Sequence, residues 1–225
     1  MEPAEHFARS LLTKHETIAQ PATFAMLDRE WDLLPGVFAP IFTGASSLFA
    51  QWVPYPAARS FLEVGSGTGM IAVCAALAGC TPVTAVDIAP EAVLNTARNA
   101  ERHGVPVRCL TSDLFGQLTG ERFDMIFWNS NFIEVPADYV HAGPLEVAMF
   151  DPGYTTHRRY LSGARDHLSA DGRLLLGFSS MGSYQRIVDL ADECGYRLEI
   201  LTNEVRHVPM RVEYLLLEFV PVDRA

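Results

Sequence analysis

The sequence predicts an α/β fold: an open, doubly wound sheet, mostly parallel with an antiparallel last strand, preceded by an N-terminal helical extension. Three observations carry this. From Ser60 onward, short apolar runs alternate with helix-length amphipathic runs, the mark of a parallel sheet covered on both faces. A glycine turn, "GSGTG" at 65–69, joins the first of these runs directly to a helical pattern. The chain then ends on two apolar runs, "RLEILT" and "VEYLLLEF", joined by "NEVRHVPM" without a helix, so the last strand enters antiparallel.

Taken in order, residues 1–34 read as helical, with Phe7, Leu11 and Leu12 at helical spacing. Pro35, Gly36 and Pro40 in "LLPGVFAP" break that pattern. A second helix is expected over 45–52, ending before "PYP". Strands are expected over 60–64, 83–87, 107–110, 123–128 and 173–178, and helices over 70–78, 90–103, 155–168 and 183–194. Pro90 suits a first helical turn, where a missing N–H costs nothing, and Glu91 beside it suits the helix dipole. Gly104 supplies a stop. The domain reading is therefore an extension at 1–35, a candidate lid, followed by one α/β domain at 36–225.

With 225 residues, 49% of them apolar, the chain is long enough for one sizeable core and too apolar for disorder. No apolar run approaches the roughly 20 residues of a bilayer span. "MEPAEHFARS" lacks a signal peptide's apolar stretch, so the expectation is a soluble, cytoplasmic protein. Cys74, Cys80, Cys109 and Cys194 stand singly in apolar surroundings, without a C-x-x-C pair, and read as buried reduced thiols. The net charge of −10 and the absence of a basic tract disfavour nucleic acid, which needs a cationic footprint. The set "HRRY" at 157–160 is too small to be one. The charge favours small molecules or protein tails as partners, and the lack of a spanning apolar run predicts no membrane.

Glycines between a strand and a helix let backbone amides approach a ligand at a positive helix end. Here the spacing departs from the dinucleotide pattern, since Met70 follows Gly69, and no Lys-Ser/Thr follows for a P-loop. The second strand ends in Asp87, where a carboxylate can accept both hydroxyls of a ribose. "TSDLF" puts Asp113 where an adenine amino group would come, with Leu114 against the ring, and Glu63 can face an ammonium. Together these groups read a nucleoside with a cationic amino-acid tail and no phosphates.

At this point the chain resembles the class I S-adenosylmethionine-dependent methyltransferases, over about 36–219. The resemblance rests on "FLEVGSGTG", "AVDIAP", "TSDLF" and "FDMIFWN" in order and spacing. It implies a Rossmann-like, seven-stranded sheet and S-adenosylmethionine as cofactor, with S-adenosylhomocysteine as product and no metal. The implied cofactor site comprises Thr43, Glu63, Gly65, Gly67, Gly69, Asp87, Ile88, Asp113, Leu114 and Asn129. "PGVFAP" with Thr43, the strand end at Asn129 and the stretch from "LEVAMF" to "GRLLL" resemble the branch of HemK-like glutamine and small-domain RNA guanine methyltransferases. That branch writes Asn-Pro-Pro-Tyr after the fourth strand. Its Asn side chain and first Pro carbonyl accept from a planar amide or amine, and its Tyr ring stacks on it.

This chain writes Asn129, Ser130, Asn131 and Phe132 instead, keeping the amide and the ring. Both prolines, which fix φ near −65° and lack N–H donors, are gone, so a less rigid cradle is expected. With the acidic charge and small size, the altered tetrapeptide points first to a small-molecule acceptor methylated at nitrogen, less readily at oxygen. The alternative is a protein glutamine-type or RNA N-methyltransferase; a third reading is a non-catalytic nucleoside-binding scaffold. A base is needed only for a protonated nucleophile. Glu134, Asp138, Tyr139, His141 and His207 lie in the right loops, with His141 preferred. His157 and His167 are expected to pack or cap a helix, His6, His15 and His103 to lie on the surface, and Phe38 and Phe42 to wall a lidded pocket.

Overall fold

The computed structural model describes residues 3–17, 22–57, 59–207 and 211–222. The chain runs α1 (Pro3–Glu16), β1 (Ala22–Met26), β2 (Arg29–Leu33), a 3-10 turn (Pro40–Phe42), α2 (Ala45–Trp52), β3 (Phe61–Val64), α3 (Met70–Leu77), β4 (Val83–Asp87), α4 (Pro90–Arg102) and β5 (Arg108–Thr111). It continues with β6 (Phe123–Asn129), β7 (Ile133–Val135), α5 (Pro144–Val147), β8 (Phe150–Pro152), α6 (Thr155–His167), β9 (Leu168–Ser179), α7 (Tyr184–Glu193), β10 (Tyr196–His207) and β11 (Arg211–Pro221).

The main sheet has the expected seven strands, in the order β10-β11-β9-β6-β3-β4-β5. β4, β6, β5 and β9 are parallel to their neighbours around β3, and β11 enters antiparallel between β9 and β10. Side-chain alternation decides the two faces. Leu62 and Val64 point to a core shared with Tyr160 and Leu161 of α6 and Ile187 and Leu190 of α7. Phe61 points the other way, to Leu48 and Phe49 of α2 and Ile71 and Ala72 of α3. The strand order reverses at β3, so the carboxyl ends of β3 and β6 open a crevice, where ligands of doubly wound sheets bind.

The N-terminal expectation needs correction: among the described residues of 1–34, 3–16 are helical and 22–33 form a β-hairpin, while 1–2 and 18–21 lie outside the described residues. Its two-residue turn places Leu27 (φ 56°) and Asp28 (φ 55°) in the left-handed region that this hairpin twist requires. The hairpin packs on α4 through two wholly buried asparagines. Asn95 Oδ1 accepts from the Leu34 N–H (2.7 Å) and Asn99 Oδ1 from the Asp32 N–H (2.7 Å), standing in for a strand partner. A second correction concerns "NEVRH", expected as a loop, which continues β10 as a ribbon with β11. The region between β6 and α6 also carries a small parallel pair, β7–β8, that the sequence did not announce.

Helix α1 docks on that pair: Ala8 and Leu11 are buried against Ile133, Val135, Met149 and Phe150. Arg9 adds a contact to Glu146, at 4.0 Å. His15, expected at the surface, is 6% exposed and joins α1 to the following segment. Its Nδ1–H donates to Leu11 O (2.8 Å), and Nε2 accepts from the Ala39 N–H (2.7 Å), with Phe38 and Phe42 against the ring. His103 is likewise half-buried, against Trp31.

The His15 bridge exists only for the neutral ring, since a protonated Nε2 would meet another donor. Burial lowers its pKa from the ordinary 6.5. The stability it contributes is thus present above that value and lost as pH falls through the lowered one. From about pH 7 to about pH 5, melting of the wild type should fall more than that of His15→Gln. Parallel melting curves would contradict the bridge.

Among the described residues no helix is long and apolar enough to cross a membrane. All four cysteines are free thiols, but only Cys80 is fully buried.

Candidate active site

A cavity of about 600 Å³ opens at the carboxyl ends of β3, β4 and β6. Its floor is the glycine turn, where Gly65 and Gly67 hold positive φ. A Cβ on Gly67 would meet nothing within 4 Å, so its backbone faces open space that a ligand can fill. Gly69 differs from expectation. It does not line the cavity; a Cβ there would lie 2.6 Å from Thr96 Cγ2, so it lets α3 and α4 pack closely.

Glu63 is 2% exposed, on the α3 face of β3, where Oε2 accepts from the Ala72 N–H (2.8 Å). Burial pushes its carboxyl well above the usual range; the Ala72 bond opposes this and the Asp87 charge adds to it. Asp87 ends β4, with Oδ2 accepting from the Gly67 N–H and Oδ1 from the Ala89 N–H, both at 2.9 Å. Burial raises its pKa, and those N–H bonds restrain the rise. Each oxygen keeps a lone pair for a ligand hydroxyl. Ile88 beside it is 53% exposed along the cavity wall.

Leu114 is buried, while Asp113 at the rim is ion-paired with Arg159 of α6 (Nη2 to Oδ2, 2.8 Å). Thr43 lines the opposite wall, its carbonyl held by Tyr214 Oη (2.9 Å).

Residues 129–132 form the inner wall. The prolines' rigidity, expected to be lost, is replaced by side-chain hydrogen bonds. Ser130 Oγ donates to Gly177 O (2.9 Å), Asn131 Nδ2 to Phe150 O (2.9 Å) and Val147 O (3.1 Å), and Tyr154 Oη to Phe132 O (2.7 Å). Tyr154 is itself fixed by the Ser183 N–H (2.9 Å). Asn129 Nδ2 reaches Ser46 Oγ (3.3 Å), and its Oδ1 is buried without a partner among the described residues. Phe132 lines the same wall with Phe38, Met149, Phe150 and Met181.

Of the base candidates, only His141 lines the cavity. Its Nε2 lies 3.0 Å from Phe150 O. A carbonyl only accepts, so Nε2 carries the hydrogen and Nδ1 keeps a lone pair. Tyr139 Oη instead donates to Glu146 (2.9 Å), Glu134 faces Arg186, Asp138 is exposed, and His207 is exposed on the β10 ribbon. His157 and His167 are buried on α6, as expected; His157 Nδ1 contacts the buried Asp151 Oδ2 (2.7 Å). Beyond the expected set, the cavity is lined by Trp128, Ser112 and Arg159. Trp128 was hidden inside an apolar run, and Arg159 in "HRRY", a set dismissed as a nucleic-acid patch.

Residues 31–205 match the family model described as the methyltransferase small domain. A candidate protein N5-glutamine methyltransferase of Methanocaldococcus jannaschii is 29% identical over 145 residues, covering 63% of this chain and 73% of that protein. A release factor glutamine methyltransferase of Bordetella pertussis is 31% identical over 189 residues, covering 79% of this chain and 66% of that enzyme. Among solved structures, a 16S rRNA methyltransferase of T. thermophilus in complex with AdoMet and guanosine superposes with a TM-score of 0.59 at 21% identity. That match covers 90% of this chain and 50% of that one, and at such identity it speaks for the fold alone.

The donor set here fits S-adenosylmethionine: open space over Gly67, one buried carboxylate, one hydroxyl-accepting carboxylate and apolar walls.

Proposed function

The chain belongs to the methyltransferase small domain family and is an S-adenosylmethionine-dependent methyltransferase of the HemK-like branch, and from that premise we propose that it methylates a side-chain amide nitrogen of a protein, as a glutamine methyltransferase does. The observation that carries this reading is Asn129 Oδ1, buried without a partner among the described residues, in the wall it shares with Phe132. A planar amide gives such an oxygen an N–H and gives the ring a flat face. The small-molecule acceptor expected from charge and size has less support, because the relatives above are named for protein glutamine. One observation favours it as a second reading: Phe7, Ala8 and Leu11 of α1 roof the cavity as a lid would.

When bound, S-adenosylmethionine supplies a methyl on a positive sulfur, whose C–S bond breaks, sulfur keeping the electron pair, as the C–N bond forms. The chain's part is to hold and align. Glu63 takes the ammonium, Asp87 the ribose hydroxyls and Asp113 the adenine amino group. Leu114 and Ile88 flank the ring, and Thr43, Gly65 and Gly67 complete the wall. Asn129 orients the nitrogen, and His141 Nδ1 receives the proton it sheds.

Glu63 gives this assignment a signature. Its raised pKa means that stability from the protonated form is present below the ordinary 4.5 and lost as pH rises through the raised value. An ammonium beside it pulls that pKa back down, so binding should release protons in the pH range above the ordinary 4.5 where the free carboxyl is still protonated. Calorimetry of S-adenosylhomocysteine in buffers of different ionisation enthalpy should show this release for the wild type and none for Glu63→Gln. Equal proton release in both would contradict the assignment.

The substrate class is tested by adding the enzyme and methyl-labelled S-adenosylmethionine to an extract from cells lacking it. The label should enter protein; label confined to the low-mass fraction would favour the second reading.

A further inference from the structure

Asn131 stands where the branch carries its second proline, and its surroundings give it a definite orientation. The side chain is 6% exposed and lines the cavity. Both amide hydrogens are taken, by Val147 O and Phe150 O. Turning the amide over would set its oxygen against two carbonyl oxygens, so the orientation is fixed by chemistry. Oδ1 therefore lies away from those carbonyls, and among the described residues it is buried with no donor. Two residues earlier, Asn129 Oδ1 is in the same condition. A buried acceptor left without a donor is costly, and two in one three-residue stretch at a ligand cavity call for a common explanation.

We propose that Asn131 Oδ1 is a second acceptor for the group being methylated, paired with Asn129 Oδ1. Two acceptors require two N–H donors, so the methylated nitrogen is a primary one. This rests on the amide-nitrogen reading above and adds that Asn129 and Asn131 hold both amide hydrogens at once. A nitrogen that has already received a methyl has one N–H left and leaves one oxygen unpaired. The product is therefore monomethylated and is not methylated again.

Phe150 O, which Asn131 holds, also contacts His141 Nε2. A merely structural Asn131 would therefore matter by holding that node, and the test must separate the two roles. The backbone N–H of Asn131 makes no hydrogen bond among the described residues, so proline costs none there. Asn131→Pro restores backbone stiffness without an oxygen; Asn131→Leu removes the oxygen at similar volume.

Each variant is assayed for label transfer into the extract at saturating S-adenosylmethionine, and by calorimetry for S-adenosylhomocysteine. The proposal predicts that both lose transfer efficiency by about ten- to a hundredfold, with S-adenosylhomocysteine affinity within about twofold. Transfer retained by Asn131→Pro would overturn it, leaving Asn131 as a structural brace. If Asn131→Leu does not fold, its calorimetry shows this and Asn131→Pro decides alone. Protein and low-mass fractions are counted separately. Label in the low-mass fraction refutes the protein reading while the variants' losses still judge Asn131, and dimethylated product from the wild type overturns the two-donor claim.

Discussion

Asp87→Ala should weaken S-adenosylhomocysteine binding by at least about a hundredfold, because two hydrogen bonds to a charged group contribute roughly 1.5–3 kcal/mol each. Calorimetry on the purified chain reads this directly. The effect has two sources. The carboxylate offers one lone pair per oxygen to the ribose, and it also holds the glycine turn, through the Gly67 and Ala89 N–H groups at 2.9 Å. Asp87→Asn keeps one oxygen and should fall between the two. Because burial raises the Asp87 pKa, affinity should also decline on the acid side sooner than for an ordinary aspartate. Unchanged affinity in the alanine variant would mean that the nucleoside lies elsewhere.

Gly182→Ala should damage the acceptor side and spare the cofactor side. A Cβ there would lie 2.2 Å from Phe132 O and 2.5 Å from both Phe178 Cζ and Tyr154 Oη. None of these atoms ends a flexible chain: one is backbone, one belongs to a buried ring, and the hydroxyl is held between Phe132 O and the Ser183 N–H. Relief that shifts Phe132 also moves its ring, which lines the cavity. Overpacking of this kind costs about 1–3 kcal/mol, which for a chain of this length lowers melting by several degrees. Transfer should fall about tenfold or more while S-adenosylhomocysteine still binds within about threefold. Equal losses of transfer and cofactor affinity would show that the two halves of the cavity are not separable.

The sheet was legible because parallel strands buried on both faces read as plain apolar runs, and glycine and proline punctuated them. The carboxylates at strand ends were legible for the same reason: Asp87 stops the run "VTAV", and Asp113 comes just after the short strand "RCLT". The hairpin at 22–33 was not. Its turn puts Leu27 and Asp28 at positive φ without a glycine, and its anchor is Asn95 and Asn99, more than sixty residues away. The β10 ribbon was missed because its outer half is exposed on both sides and shows no alternation. His15 was misplaced because its partner, the Ala39 N–H, lies 24 residues on.

At the site, sequence spacing alone made Gly69 look like Gly65 and Gly67, and only the approach of Thr96 distinguishes it. The loss of two prolines suggested a slack cradle. Four hydrogen bonds from Ser130, Asn131 and Tyr154 restore its rigidity, and three of the carbonyls they reach, on Gly177, Val147 and Phe150, lie far along the chain.

The central claim is that the cradle formed by Asn129, Asn131 and Phe132 presents a primary amide nitrogen for a single methylation. Its most direct test is tandem mass spectrometry of proteins from the extract, treated with the enzyme and S-adenosylmethionine carrying a deuterated methyl. The account predicts the label on a glutamine side-chain nitrogen, once per site, and absent with Asn129→Ala. Label on an oxygen, on a nucleoside, or twice on one nitrogen would contradict it.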